Sequence, residues 1–177
     1  MSTQPSSNRL VSLAAGVVQE FPPEQVVYAA ANAGFNSVGL WCDLASWTDE
    51  RTRAVQTAIA DTGIVPLDIE VVWFRPGEPI THHDRFVEIA ATLNVRNILC
   101  VSSEPDITDT EKKFAHLCRL TEGGDIRIML EFLAITEINT LTKALEVVRN
   151  VAHPAGGILI DALHLQRTGS GVQDVID

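Results

Sequence analysis

The sequence is short of positive charge. Its 177 residues hold 13 Lys and Arg against 23 Asp and Glu, a formal net charge of −10. A negative field of that size repels phosphate backbones and argues against nucleic acid and anionic membrane as partners. Long hydrophobic runs are missing as well. No stretch of about 18 apolar residues occurs, so no membrane span is expected. The polar start Met1-Ser2-Thr3-Gln4-Pro5 has neither the basic nor the apolar region of a secretory leader. Cysteine is scarce: Cys42, Cys100 and Cys118 are widely spaced, with no C-x-x-C pair. Reduced, buried thiols in a cytoplasmic protein are the expectation, rather than a disulfide framework or a zinc knuckle. There is no G-x-G-x-x-G turn and no Walker motif for a nucleotide phosphate.

What the chain does contain is a beat. Short β-rich runs fall at residues 10–14, 37–41, 64–73, 96–101, 126–133 and 157–161, one about every thirty residues. Amphipathic helical patterns lie between them. Phe86, Ile89, Ala90 and Leu93 make one stripe, and Leu141, Ala144, Leu145 and Val148 another. Pro22-Pro23 suits a first helical turn and Gly34 the position just past its end. Thr108-Asp109-Thr110-Glu111 has the form of a capping box, with weaker versions at Thr81-x-x-Asp84 and Ser46-x-x-Asp49. Repeating βα units imply parallel strands joined by helical crossovers. Both an open doubly wound sheet and a (β/α)8 barrel satisfy that pattern.

Two acids end long apolar runs. Glu131 closes Ile128-Met129-Leu130-Glu131, and Asp161 closes Ile158-Leu159-Ile160-Asp161. A charge at such a place is costly to bury without a partner. Neighbouring parallel strands lie about 4.8 Å apart, so the two carboxylates would share one rim. His164, three residues past Asp161, falls in the loop over it. Two carboxylates and an imidazole suit a divalent metal. An acid at a strand end also serves as an N-cap for the next helix, and spacing alone leaves both readings open. Glu70 lies inside the third run, and His82 and His83 open a helix where solvent exposure is expected.

The segments Ala33-Gly34-Phe35-Asn36-Ser37-Val38 and Leu130-Glu131-Phe132-Leu133 resemble the xylose isomerase-like TIM-barrel superfamily. So, above all, does Asp161-Ala162-Leu163-His164-Leu165-Gln166-Arg167-Thr168-Gly169, and the likeness is greatest to the sugar-phosphate isomerase/epimerase branch. The resemblance implies an α/β TIM-barrel-type repeat: residues 1–8 a disordered tail, residues 9–177 a partial barrel with about six of its eight units. It implies a divalent metal (Mn²⁺, Mg²⁺ or Co²⁺), weakly held, with Glu131 and Asp161 as ligands. Glu131 would also be the general base, with His164 and Arg167 contacting a small sugar or sugar phosphate. The expected reaction is isomerisation or epimerisation by proton abstraction next to a carbonyl, impaired in so short a chain. A metal-dependent sugar or polyol dehydratase and a non-catalytic truncated barrel are the alternatives. A nuclease of the same superfamily would need more histidines and a basic face. Two departures stand out: Val38-Gly39-Leu40 replaces the family's usual V-E-L, and the seventh- and eighth-strand ligands have no counterpart. Open first and sixth strands would then call for cover, for example by a second copy.

Overall fold

The computed structural model describes residues 9–176, so the tail expected at residues 1–8 lies outside the described residues. Six strands alternate with helices: β1 (Ser12–Leu13), α1 (Pro23–Asn32), β2 (Ser37–Trp41), α2 (Asp49–Thr62), β3 (Val65–Phe74) and α3 (Asp84–Thr92). β4 (Asn97–Ser102), α4 (Ile107–Leu120), β5 (Arg127–Glu131), α5 (Leu141–Val151), β6 (Gly156–Leu159), α6 (Ala162–Arg167) and α7 (Val172–Ile176) follow. Every neighbouring pair is parallel, and the spatial order is β1-β2-β3-β4-β5-β6. A doubly wound sheet reverses its strand order at a switch point. This sheet never does. It is an incomplete TIM-barrel arc, the choice that periodicity alone left open.

Helix starts follow local chemistry. The Thr48 hydroxyl accepts from Arg51 N–H at the head of α2, and Gly63, at φ 67°, closes that helix in the left-handed region. Thr140 caps α5 in the same way. The capping box expected at Thr108 does not form. Asp106, two residues earlier and already extended, accepts from Thr108 N–H, and its carboxylate is better placed against the helix dipole. At α3 the Thr81 carbonyl, not its hydroxyl, receives Asp84 N–H, so no side chain caps that helix. Ser46 likewise yields its expected role to Thr48.

Register sorts the strand residues into two faces. Val38, Leu40, Ile69, Ile98, Cys100, Ile128 and Leu130 are fully buried on the outer face, under Val27, Val55, Ile89, Phe114 and Val147 of the helices. That interface is the core. The inner face pairs Gly39 with Asp68, Trp41 with Glu70, Leu99 with Met129, and Glu131 with Leu159. In parallel pairing, register partners point the same way. An acidic layer therefore faces the inside of the arc near its carboxyl ends. The register of β3 against β4 shifts between Ile69 and Val72, an irregularity of the kind that re-aims side chains beside functional sites.

Candidate metal centre

β5 delivers Glu131 to the rim at its last residue, where it is only 8% exposed. Asp161 comes two residues after β6 and begins α6: its Oδ1 accepts from Leu163 N–H at 2.7 Å and His164 N–H at 3.1 Å. The capping role is therefore real, yet it uses one oxygen. The other remains for a ligand. α6 carries the His164 ring back towards β5, with Nε2 4.0 Å from Glu131 Oε1. One donor atom from each of Glu131, Asp161 and His164 lies within 4.8 Å of the others. Arg167, one helical turn further, is exposed, and its guanidinium makes no hydrogen bond or ion pair with a described residue. Three of the four residues singled out in the sequence thus converge, and the fourth follows His164 on α6.

Burial and the neighbouring carboxylates oppose a charge on Glu131. Burial, then Asp161, then Glu70 push the Glu131 carboxyl up to about 7. Glu70 itself is pushed up to about 7 by burial and by Asp68, against the pull of a hydrogen bond from the Gly16 backbone. Burial raises Asp68 to about 6. Glu70 is the residue that sequence reasoning passed over. Its signal was available: Asp68 and Glu70, two apart in an apolar strand, share a face. The missing second-strand acid also has a local explanation. A Cβ on Gly39 would stand 2.6 Å from Asp68 Oδ1, so the carboxylate of the next strand fills that space.

Donors around a divalent ion bound at about 2.1 Å stand roughly 3 Å apart. The His164–Glu131 pair, at 4.0 Å, needs to close by about 1 Å, and no pair in the trio is wider than 4.8 Å, within reach of side-chain rotation. The donor set fits such an ion. Because Glu131 is part-protonated near neutrality, Mn²⁺ binding is expected to release protons at pH 6 and almost none at pH 8.5. Calorimetry in buffers of different ionisation enthalpy reads this directly, and a release independent of pH would remove Glu131 from the ligand set.

Beside this rim, at the ends of β2 and β3, opens a cavity of 590 Å³ lined by Trp41, Asp43, Trp73, Arg75 and the imidazoles of His82 and His83. His83 is 7% exposed, contrary to the exposure expected of it, because Phe74 and Phe86 flank its ring.

A barrel arc with two carboxylates and an imidazole at its carboxyl rim defines a class, the (β/α) barrels with a candidate divalent-metal centre. The family profile of the xylose isomerase-like TIM barrel matches residues 27–177, and the chain belongs to that family. No curated protein matches it. Solved structures that share the fold include epimerases and a probable dehydratase. A D-psicose 3-epimerase crystallised in the presence of D-fructose aligns with TM-score 0.77 at 12% identity, over 95% of this chain and 68% of its own. A xylose isomerase-like TIM barrel/4-hydroxyphenylpyruvate dioxygenase fusion protein aligns with TM-score 0.74 at 22% identity, over 90% of this chain and 27% of its own. A xylose isomerase-like protein from Mycobacterium smegmatis, in complex with magnesium, gives 0.62 at 16%, over 80% of this chain and 56% of its own. At these identities the likeness is one of fold. The chain spans about a quarter of the fusion protein and about two thirds of the epimerase. No helix among the described residues is long and apolar enough to cross a membrane.

Proposed function

We propose that this chain carries the metal-binding arc of a sugar or sugar-phosphate isomerase/epimerase, with Glu131, Asp161 and His164 as the residues that hold a divalent ion. The convergence of those three donors within 4.8 Å carries the reading. A bound divalent ion supplies Lewis-acid polarisation of the substrate's carbonyl and neighbouring hydroxyl. Glu131, kept ionised by the ion, removes the proton from the adjacent carbon as general base. Asp161 keeps one oxygen on the α6 amides, so its free oxygen is held in place. Exposed Arg167 meets an oxyanion arriving from solvent. Glu70, facing the same space, is a second carboxyl able to hold a proton at neutral pH. Trp41 and Trp73 form apolar walls for the carbon chain.

The test is isotope exchange. A ketose incubated with the chain and Mn²⁺ in D2O is expected to gain deuterium at the carbon next to its carbonyl, followed by NMR, and Glu131→Gln is expected to reduce that rate at least a hundredfold. No exchange with any ketose or ketose phosphate would overturn the reading. Exchange accompanied by loss of water would assign the dehydratase chemistry instead.

A further inference from the structure

A second group of metal-ligating side chains lies apart from the rim trio, in the loop between β3 and α3. Glu78, His82 and His83 each bring a donor atom within 4.8 Å of the other two. His82 Nε2 is 3.8 Å from Glu78 Oε1, and His83 Nε2 is 3.5 Å from Glu78 Oε2. The two imidazoles meet edge to face with centroids 4.7 Å apart. Ligands of a tetrahedral zinc at about 2.0–2.1 Å stand roughly 3.3 Å from one another. Each imidazole is within about 0.5 Å of that spacing from one Glu78 oxygen. Rotation of the carboxylate and of the half-exposed His82 ring would turn the three donors, all within 4.8 Å, onto one ion. The Trp73 carbonyl, 3.2 Å from His83 Nε2, is a further oxygen at the same spacing.

The competing explanation is a plain ion pair, and its geometry is poor. Arg75 Nη1 is 3.9 Å from Glu78 Oε1, while the guanidinium lies over the Trp73 ring, 5.0 Å from its centroid. Glu78 is nevertheless fixed, because its Oε2 accepts from Arg75 N–H at 3.2 Å. His83 supplies an independent observation. Its ring is buried between Phe74 and Phe86, and Nδ1 has no hydrogen-bond partner. Nε2 faces two oxygens, the Trp73 carbonyl at 3.2 Å and Glu78 Oε2 at 3.5 Å, while Nδ1 is buried unpaired, where buried polar groups are normally paired throughout.

We propose that Glu78, His82 and His83 form a second metal site, separate from the rim trio, that takes a borderline divalent cation of the zinc type and pins the β3–α3 loop to the end of β3. Two imidazoles and one carboxylate favour Zn²⁺ over Mg²⁺, whereas the oxygen-rich rim set accepts the harder ions. The loop so pinned forms one wall of the 590 Å³ cavity. His82, half exposed, is the ligand that closes the site from the solvent side.

Zinc binding measured by competition with a chromogenic chelator, in millimolar Mg²⁺, tests the site. Glu131→Gln, which disables the rim trio as a competing zinc site, is expected still to hold one equivalent of Zn²⁺. His82→Ala and Glu78→Gln are expected to weaken it at least tenfold, since losing even an outer-shell partner of a metal costs about 10- to 100-fold. His82 is a surface residue, so its variant folds. Zinc binding that vanishes in Glu131→Gln, or that survives unchanged when His82→Ala is added to Glu131→Gln, would overturn the proposal.

Discussion

Glu131→Gln is expected to raise the melting temperature of the metal-free protein at pH 8 while erasing its response to Mn²⁺. The folded carboxyl is pushed up to about 7 from an ordinary 4.5. Between those values the folded chain binds more protons than the unfolded chain, so stability falls as pH rises through the window and stays low above it. Gln keeps the shape and removes the charge that burial, Asp161 and Glu70 oppose. With allowance for partial contact with solvent, the gain at pH 8 is on the order of 2 kcal/mol, or roughly 4–8 °C for a domain of this size. The advantage should shrink below about pH 5, where the wild-type carboxyl is protonated in both states. In wild type, saturating Mn²⁺ should produce a comparable rise by binding the folded state alone. Scanning calorimetry at pH 5 and pH 8, with and without Mn²⁺, reads all four quantities. A Glu131→Gln variant less stable than wild type at pH 8 would show that this carboxyl is held by interactions rather than opposed by them.

Gly39→Glu, which restores the acid common on the second strand of this family, is expected to be among the most damaging single changes on the inner face. Its Cβ would meet Asp68 Oδ1 at 2.6 Å and the Ala15 backbone nitrogen at 2.8 Å. Backbone cannot give way cheaply, so overpacking alone costs about 1–3 kcal/mol. The new carboxylate also enters a layer already holding Asp68 and Glu70, both raised by burial. A total on the order of 4 kcal/mol corresponds to a melting temperature lower by roughly 8–16 °C. Asp68→Ala in the same chain should recover part of that loss, because it clears both the nearest atom and one charge. The Ala15 contact remains, so recovery should be incomplete. Full additivity of the two changes in thermal melts would show that Asp68 does not occupy the space of the missing side chain.

Sequence periodicity placed the six strands within a few residues, and β2 matches at both ends. Apolar runs report burial on the outer face, and that face is what period-2 and period-3.6 patterns measure. Strand order was not legible, since each βα unit looks the same whether its sheet stays sequential or reverses. The rim trio was legible as spacing: a Glu ending one run, and an Asp with a His three residues on. The meaning of Asp161 was not, because N-cap and ligand are different uses of one side chain and need coordinates to separate. Glu70 and Gly39 were harder. Their significance lies in the register between β2 and β3, which pairs Gly39 with Asp68 and Trp41 with Glu70. His83 was misread for a related reason, since its burial comes from Phe74 and Phe86 on two different elements.

Asp161, with one oxygen on the amides of Leu163 and His164, makes the start of α6 and the grip on a cation parts of one equilibrium. Fraying of that first turn would release both a ligand and the imidazole that the helix carries. Conversely, an ion seated at the rim would slow the opening of the turn. Ligand occupancy at the mouth of the arc would then be written into the hydrogen-exchange protection of two backbone amides.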